Sequence, residues 1–550
     1  MSSTIVSAEE RASTRGGLLG VVVAAVTPLL VLAALFLFGV PIGQPDFLVY
    51  RYSPVWPLRL TAAWWALGAG GAGVWLVAVA CGARPAAWRW CVAGAVGLYG
   101  VLVAWTLWGP PYRTQYHLFN LISPSHDGAF FREGEDIASL REYLSQGFGE
   151  RLRAEPEQMA GRRVLSNPPG MTVLAVFAQR LVRGQPWLSA WLIQTFGLDE
   201  LEDPEQRPMC AAMLVLSAWL TVLWGLALWP AYLLCRLWMP PPAALTVAFA
   251  CVFNPATINF TPGKDPAQIL TIMLLMWTVL ATFQRRRMGW GLAAGALLPA
   301  ATMLGLVHVW IIALVAVAAG WHALRSGWRV GELLTRVGLP MLAGAAAVVA
   351  VAWVTLGWNL VETAARVAVR YHEIQLPIIT EPFYWTLVGL PMFLLFVGPL
   401  FWVQLTVLRR GTRGVCLGRT GSGSGGDETQ RVLGGHGAGQ WPLPNGRGSD
   451  RGRGEAGALG GRLLVVAVGV MVYSYFFANN SETPRLWMAF IPVLLLGLAL
   501  RRPVLLGDGA AARRLCVVLL ALQLTVTVGH WSLMDVRETE WRLSTQRMWD

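Results

Sequence analysis

A few short polar clusters carry most of the side chains in this sequence that could do chemistry. The first is His126-Asp127, followed by Glu133, Glu135 and Asp136. A carboxylate in such a place can take a proton from an acceptor hydroxyl or position a cation. A solvated acidic helix would carry the same residues, because Asp, Glu and Arg recur at roughly helical spacing from Arg132 to Arg153. The second cluster is Ser166-Asn167-Pro168-Pro169-Gly170. Its prolines block a preceding helix and suit a first helical turn, so it also reads as a plain helix start. The third runs from Asn254-Pro255 to Lys264-Asp265-Pro266. Lys264 is a compact cation suited to a phosphate. Asp265 either works beside it or stabilises a helix N-terminus through the dipole. The fourth is Glu482 with Arg485, where an arginine entering an apolar run needs a partner, an aqueous cavity or a snorkelling path.

Three further groups are weaker. His308 and His322 lie in one apolar run, where a buried, satisfied histidine competes with a cavity-lining one. Arg366–Glu373, with Arg370, Tyr371 and His372, is cationic and fits a lipid headgroup, a sugar phosphate or a loop. No Walker A, GxGxxG or HExxH pattern is present, which leaves a nucleotide-driven pump without support. The seven cysteines are scattered through apolar sequence without a CxxC, so neither a disulfide framework nor a structural zinc site is implied.

Composition dictates what must position these residues. The chain has 550 residues, 55% hydrophobic and 13% charged, with mean hydropathy +0.51. A soluble domain carries roughly 25% charged residues. Apolar runs repeatedly exceed the ~20 residues that cross a hydrocarbon core. An all-α, polytopic membrane protein with roughly 12–14 spans follows, since lipid-embedded backbone must satisfy itself within helices. The net charge is +12, yet the arginines gather at the ends of apolar runs, which argues for topology and against nucleic acid. Many of the 28 tryptophans lie near run ends, where an interfacial ring fits.

The sequence divides into a three-span region over 1–108, a polar loop over 109–170, a membrane core over 171–410, a Gly-rich insertion over 411–461 and C-terminal spans over 462–550. The first run, 16–43, reads as a retained span and not as a cleaved leader. A polar loop of roughly 60 residues is far longer than a connector requires, so a function is expected of it. Phe130 and Phe131 would pack that loop onto the membrane surface. The insertion holds too little apolar sequence to order itself. Inner arginines at 285–287, 325, 329, 336, 409–410 and 501–502 place 109–170, 254–265, 359–381 and 479–485 together on the outer side. Residues 171–198 either cross twice or form a re-entrant or interfacial pair.

Taken in order, these motifs resemble those of bacterial GT-C glycosyltransferases, the group of the protein mannosyltransferases and aminoarabinose transferases. The matching positions are Asp127, Asn167-Pro168-Pro169-Gly170, Pro262 with Asp265, and Glu482 with Arg485-Leu486-Trp487. Two departures stand out. Asn167 replaces a His or Lys, and the polar loop follows the third span where the family has it after the first.

The resemblance implies a GT-C-like fold in the plasma (inner) membrane, with its site facing the periplasm. It implies inverting transfer of a sugar from a polyprenyl-phosphate donor to a glycan, lipid or protein acceptor. Asp127 would be general base or acceptor-positioning group. Lys264 and Arg485 would neutralise the departing phosphate, and Asp265 would orient the acceptor or Lys264. Asn167, Glu482, His308 and His372 would support the site. Divalent metal use varies across that superfamily, and no ligand set here demands a metal. A lipid or glycan flippase would instead show mid-span charges and an inverted repeat. An O-antigen ligase or polymerase would carry its main loop late in the chain.

Overall fold

A computed structural model describes residues 8–39, 42–44, 48–50, 127–153, 163–200, 204, 206–259, 263–375, 393–409, 450–477, 487–501 and 510–533. The expected spans at 60–82 and 89–108, the segment 411–449, and Glu482 and Arg485 lie outside these residues.

The polypeptide folds as α1 (Ala8–Phe38), a two-stranded antiparallel ribbon of β1 (Ile42–Gln44) and β2 (Leu48–Tyr50), α2 (Gly128–Glu135) and α3 (Leu140–Glu142). A π-turn over Tyr143–Gly147 leads into α4 (Phe148–Arg153), α5 (Gly170–Gly184) and α6 (Pro186–Thr195). Next come α7 (Gln206–Leu226), α8 (Leu228–Cys235), α9 (Pro241–Val252), α10 (Pro255–Asn259), α11 (Lys264–Arg285), α12 (Met288–Thr302) and α13 (Val307–Arg325). The remaining elements are α14 (Val330–Leu333), α15 (Leu339–Leu356), α16 (Leu360–Gln375), α17 (Pro399–Arg409), α18 (Asp450–Phe477), α19 (Ile491–Arg501) and α20 (Ala510–Leu533). Seven helical stretches among the described residues are long and apolar enough to cross a membrane. Several of them face outward with apolar side chains: α15 exposes Leu342, Val351, Trp353 and Val354. A patch of that kind is stable against hydrocarbon and costly in water.

Helix ends follow local chemistry. Asn254 Oδ1 accepts from Thr257 N–H at 3.1 Å, and Thr257 Oγ1 accepts from Asn254 N–H at 3.2 Å. This reciprocal box satisfies backbone donors where α9 breaks into α10. The pair is fully buried, so the break is internally paired and not a mobile connector.

Two large apolar cores result, beside a small one of Ala323, Trp328 and Val337. One joins α8, α9, α11, α13, α18, α19 and α20. The other joins the polar-loop helices to α5, α7 and the start of α16. Phe130 and Phe131 are fully buried in this second core, under α5. They therefore anchor the loop to protein, in place of the membrane surface expected for them. Gln179 on α5 donates to Phe131 O at 2.9 Å, and Arg180 donates to Ala138 O at 2.8 Å. Helices α5 and α6 are too short for spans, and α6 exposes Trp187 and Trp191. Their lengths, 15 and 10 residues, match the re-entrant or interfacial alternative and not two crossings. The charged run from 132 to 153 is also not one helix: α3, the π-turn and α4 follow a break after α2.

The Gly-rich segment ends earlier than its composition implies, because α18 begins at Asp450. Ala456 and Leu459 are buried, and a Cβ on Gly460 would lie 2.6 Å from Gly497 O. Glycine that reads as disorder in isolation here lets α18 and α19 approach backbone to backbone.

Helix α11 runs from Lys264 to Arg285, about 33 Å at 1.5 Å per residue. Its start meets the polar loop, and its end carries Arg285 against Trp290 and Arg286 against Trp328. The 303–308 turn and α16 lie at the loop's end of the bundle, whereas Arg325 lies at the opposite one. From α11 to α16, the segments that the arginines place on one side therefore lie at one end of the bundle. With Ser139→Cys and Ser326→Cys as separate variants, a membrane-impermeant thiol reagent added to one face should label one of them and not the other. The four described cysteines, all buried, should stay silent. Labelling of both variants from a single face would refute this arrangement.

Candidate functional site

Asp127 sits at the N-terminus of α2 and is 4% exposed. Its Oδ1 accepts from Arg163 Nη2 at 3.1 Å, and its Oδ2 accepts from the Lys264 backbone N–H at 2.9 Å. The carboxylate thereby covers one of the orphan donors at the start of α11, where the helix dipole favours negative charge. An ionised carboxylate offers about four lone-pair sites, so two such bonds leave acceptor capacity.

Asn167 is held by its own turn. Its Nδ2 donates to Arg163 O at 2.9 Å, and its Oδ1 accepts from Lys264 Nζ. Lys264 Nζ also lies over the Phe130 ring, 5.8 Å from its centroid. The prolines after Asn167 end that turn, and Gly170 N–H then donates to Met303 O at 2.9 Å. Asp265 stands in the first turn of α11, partly buried and next to Lys264. One end of the bundle therefore gathers Asp127, Arg163, Asn167 and Lys264 within a single cluster of two cations, a carboxylate and an amide, with Asp265 the next residue of the chain.

His308 is fully buried on the neighbouring turn. Its Nδ1 lies 2.7 Å from Gly305 O, and its Nε2 lies 2.7 Å from Thr271 Oγ1. Gln268 Nε2 donates to Leu304 O at 3.2 Å. With both ring nitrogens engaged, His308 ties α11 to the 303–308 turn and supports the cluster from beneath. His372 is not brought to the site. It is exposed on α16, which reaches the loop through Arg370 Nε donating to Leu152 O at 2.8 Å. Glu482 and Arg485 lie outside the described residues, but Trp487 is buried, edge-on to Phe393 at 5.1 Å. The short turn that follows, Met488–Phe490, packs against α11 and α13.

Arg163 is the residue that sequence reasoning passed over. Its signal is the Arg162-Arg163 pair, two residues before the Ser-Asn-Pro-Pro-Gly stretch. Arginines at the edge of an apolar run read as topology, which hid a buried ion pair. Arg163 Nε is buried and makes no hydrogen bond among the described residues.

The other loop carboxylates are placed differently. Glu133 pairs with Arg151 at 3.2 Å and accepts from Tyr143 Oη at 3.3 Å, whereas Glu135 and Asp136 are exposed. Burial first, and then the Glu133 carboxylate, push the Tyr143 phenol well above its ordinary 10.0. The folded chain thus keeps a neutral phenol where the unfolded chain ionises. This contribution to stability is intact below pH 10 and is lost as pH rises from there toward the folded value, at up to ~1.4 kcal/mol per pH unit. Thermal unfolding followed from pH ~9 to ~11 should show that slope in the wild type and a shallower one in Tyr143→Phe. Equal slopes would show that Tyr143 is not the group responsible.

Beside α4, a cleft of about 220 Å³ opens between the loop and α16, lined by Gln146, Glu150, Arg153, Asn359, Glu362 and Arg366 among others. No group of His, Cys, Asp and Glu among the described residues has metal-site geometry. Compared with known proteins, the chain matches no family model, no curated protein and no solved structure.

Proposed function

We propose that this protein is a membrane glycosyltransferase of the hexosyltransferase class, with a GT-C-like fold, that moves a sugar from a polyprenyl-phosphate donor to an acceptor at the periplasmic face. The observation that carries this reading is the cluster itself: a buried carboxylate flanked by Arg163 and Lys264 at the end of the membrane bundle. Cations held in a partly desolvated site stabilise negative charge that develops on a leaving phosphate. The buried Nε of Arg163 keeps a donor in that site for an anionic oxygen. Asp127 is held by Arg163 and by the Lys264 backbone N–H, and the remaining lone pairs of its carboxylate can take the acceptor proton. Asn167 accepts from the Lys264 ammonium and so fixes its position.

The test is transfer by the purified full-length protein from a polyprenyl-phosphate sugar to an acceptor extract. Lys264→Ala and Arg163→Ala should each weaken donor use by one to two orders of magnitude, since each removes a charged hydrogen-bonding partner. The double variant should lose less than the product of the two single effects if both groups meet one phosphate. A wild type that transfers no sugar from any polyprenyl-phosphate donor, or variants with unchanged donor dependence, would count against the assignment.

A further inference from the structure

At the opposite end of the bundle, α13 and α18 pack against each other and bring arginines to one place with no ion-paired acid among the described residues. Arg462 on α18 donates to His322 Nδ1 on α13, and its guanidinium lies 5.6 Å from the Trp321 ring centroid. Arg325, in the last turn of α13, stands three residues after His322 and so on the same face of that helix. Glu455, two turns earlier on α18, is exposed and forms no ion pair with either arginine. Two like charges across a helix interface repel, so a packed fold that holds them favours an anion between them.

The surface around this pair says what carries the anion. From Arg462, α18 continues with exposed Val465, Val468 and Val472 along one face. From Trp321, α13 continues with exposed Val317 and Trp310, and Leu324 is exposed on the other side. Both stripes have helical spacing and lead from the cations along the apolar length of the bundle. A free anion would need only the arginines. A lipid needs the arginines for its phosphate and the apolar stripes for its chains.

We propose that the notch formed by Trp321, His322, Arg325 and Arg462 is a binding site for the headgroup of an anionic phospholipid. The acyl chains lie along the exposed faces of α13 and α18. The site stands at the far end of the membrane from Asp127 and does not depend on the sugar-transfer reading. Basic pockets between helices commonly hold such headgroups.

Native mass spectrometry of the delipidated full chain, titrated with phosphatidylglycerol or with phosphatidylcholine, tests this. The wild type should prefer phosphatidylglycerol by on the order of tenfold or more, at about 1 kcal/mol per arginine. Arg325→Gln with Arg462→Gln should reduce the preference to near unity, whereas Arg462→Lys should keep most of it. Arg151→Gln, at the other end of the bundle, should leave it unchanged. If the glutamine variants do not fold, rising salt in the wild type alone should erode the preference. Equal binding of the two lipids by the wild type would overturn the proposal. So would an unreduced preference in the folded double glutamine variant, a salt-independent preference, or full displacement of the lipid by inorganic phosphate.

Discussion

Asp127→Asn should lower sugar transfer by roughly 10² to 10⁴ in rate while the protein still inserts and folds. The amide keeps the size of the side chain and gives up proton acceptance. It also keeps a single acceptor oxygen, where the carboxylate serves both Arg163 Nη2 and the Lys264 N–H. One of those two bonds must therefore fail, at a cost of about 1–3 kcal/mol in stability. The two effects separate by measurement. Lost proton acceptance lowers kcat with the donor still bound, whereas a loosened cluster raises the donor KM and lowers the unfolding temperature together. Asp127→Glu should restore part of the rate if a base is needed, because it returns the carboxylate. Undiminished kcat in a folded Asp127→Asn protein would remove Asp127 from the chemistry. Glu133 would make a poor replacement, since it is already committed to Arg151 and Tyr143.

The largest effect on stability should come from Gly344→Val, where α12 and α15 touch. A Cβ at Gly344 would stand 2.1 Å from Leu292 O, and one at Gly295 would stand 1.9 Å from Met341 O. The obstructing atoms are backbone, so no side chain can swing away and the helices must part. Overpacking of well-packed cores costs about 1–3 kcal/mol, and occasionally more. This substitution belongs at or above the upper end of that range, because it separates the whole interface and a β-branched residue has few rotamers to offer. Gly320→Ala on α13 is the contrast, since a Cβ there meets nothing within 4 Å. Helix propensity alone predicts stabilisation of up to ~1 kcal/mol for that change. Thermal unfolding of the two variants in one detergent should therefore move in opposite directions. A Gly344→Val protein as stable as wild type would show that α12 and α15 are not packed in this way.

The sequence by itself determined the membrane character of this chain and its alternation, for reasons that are local. Hydropathy over ~20 residues decides whether a helix suits hydrocarbon. Arginines at run ends decide which ends lie together. From these alone, Asp127, Asn167, Lys264, His308 and the 359–381 segment belong at one end of the bundle, and the structure collects the described ones there. The tertiary structure decided which of them touch. Arg163 reaches Asp127 across 36 residues, Lys264 reaches Asn167 across 97, and the Lys264 N–H reaches Asp127 across 137. Each pairing depends on how α5, α11 and the 303–308 turn rotate about their axes, which ridge-and-groove packing sets and no local pattern carries. The same packing buried Phe130 and Phe131 against α5 and left His372 outside the cluster. It also turned Gly460 from a sign of disorder into a helix contact. A short polar motif states what chemistry is possible, and only the packing of distant helices brings its members within 3 Å of one another.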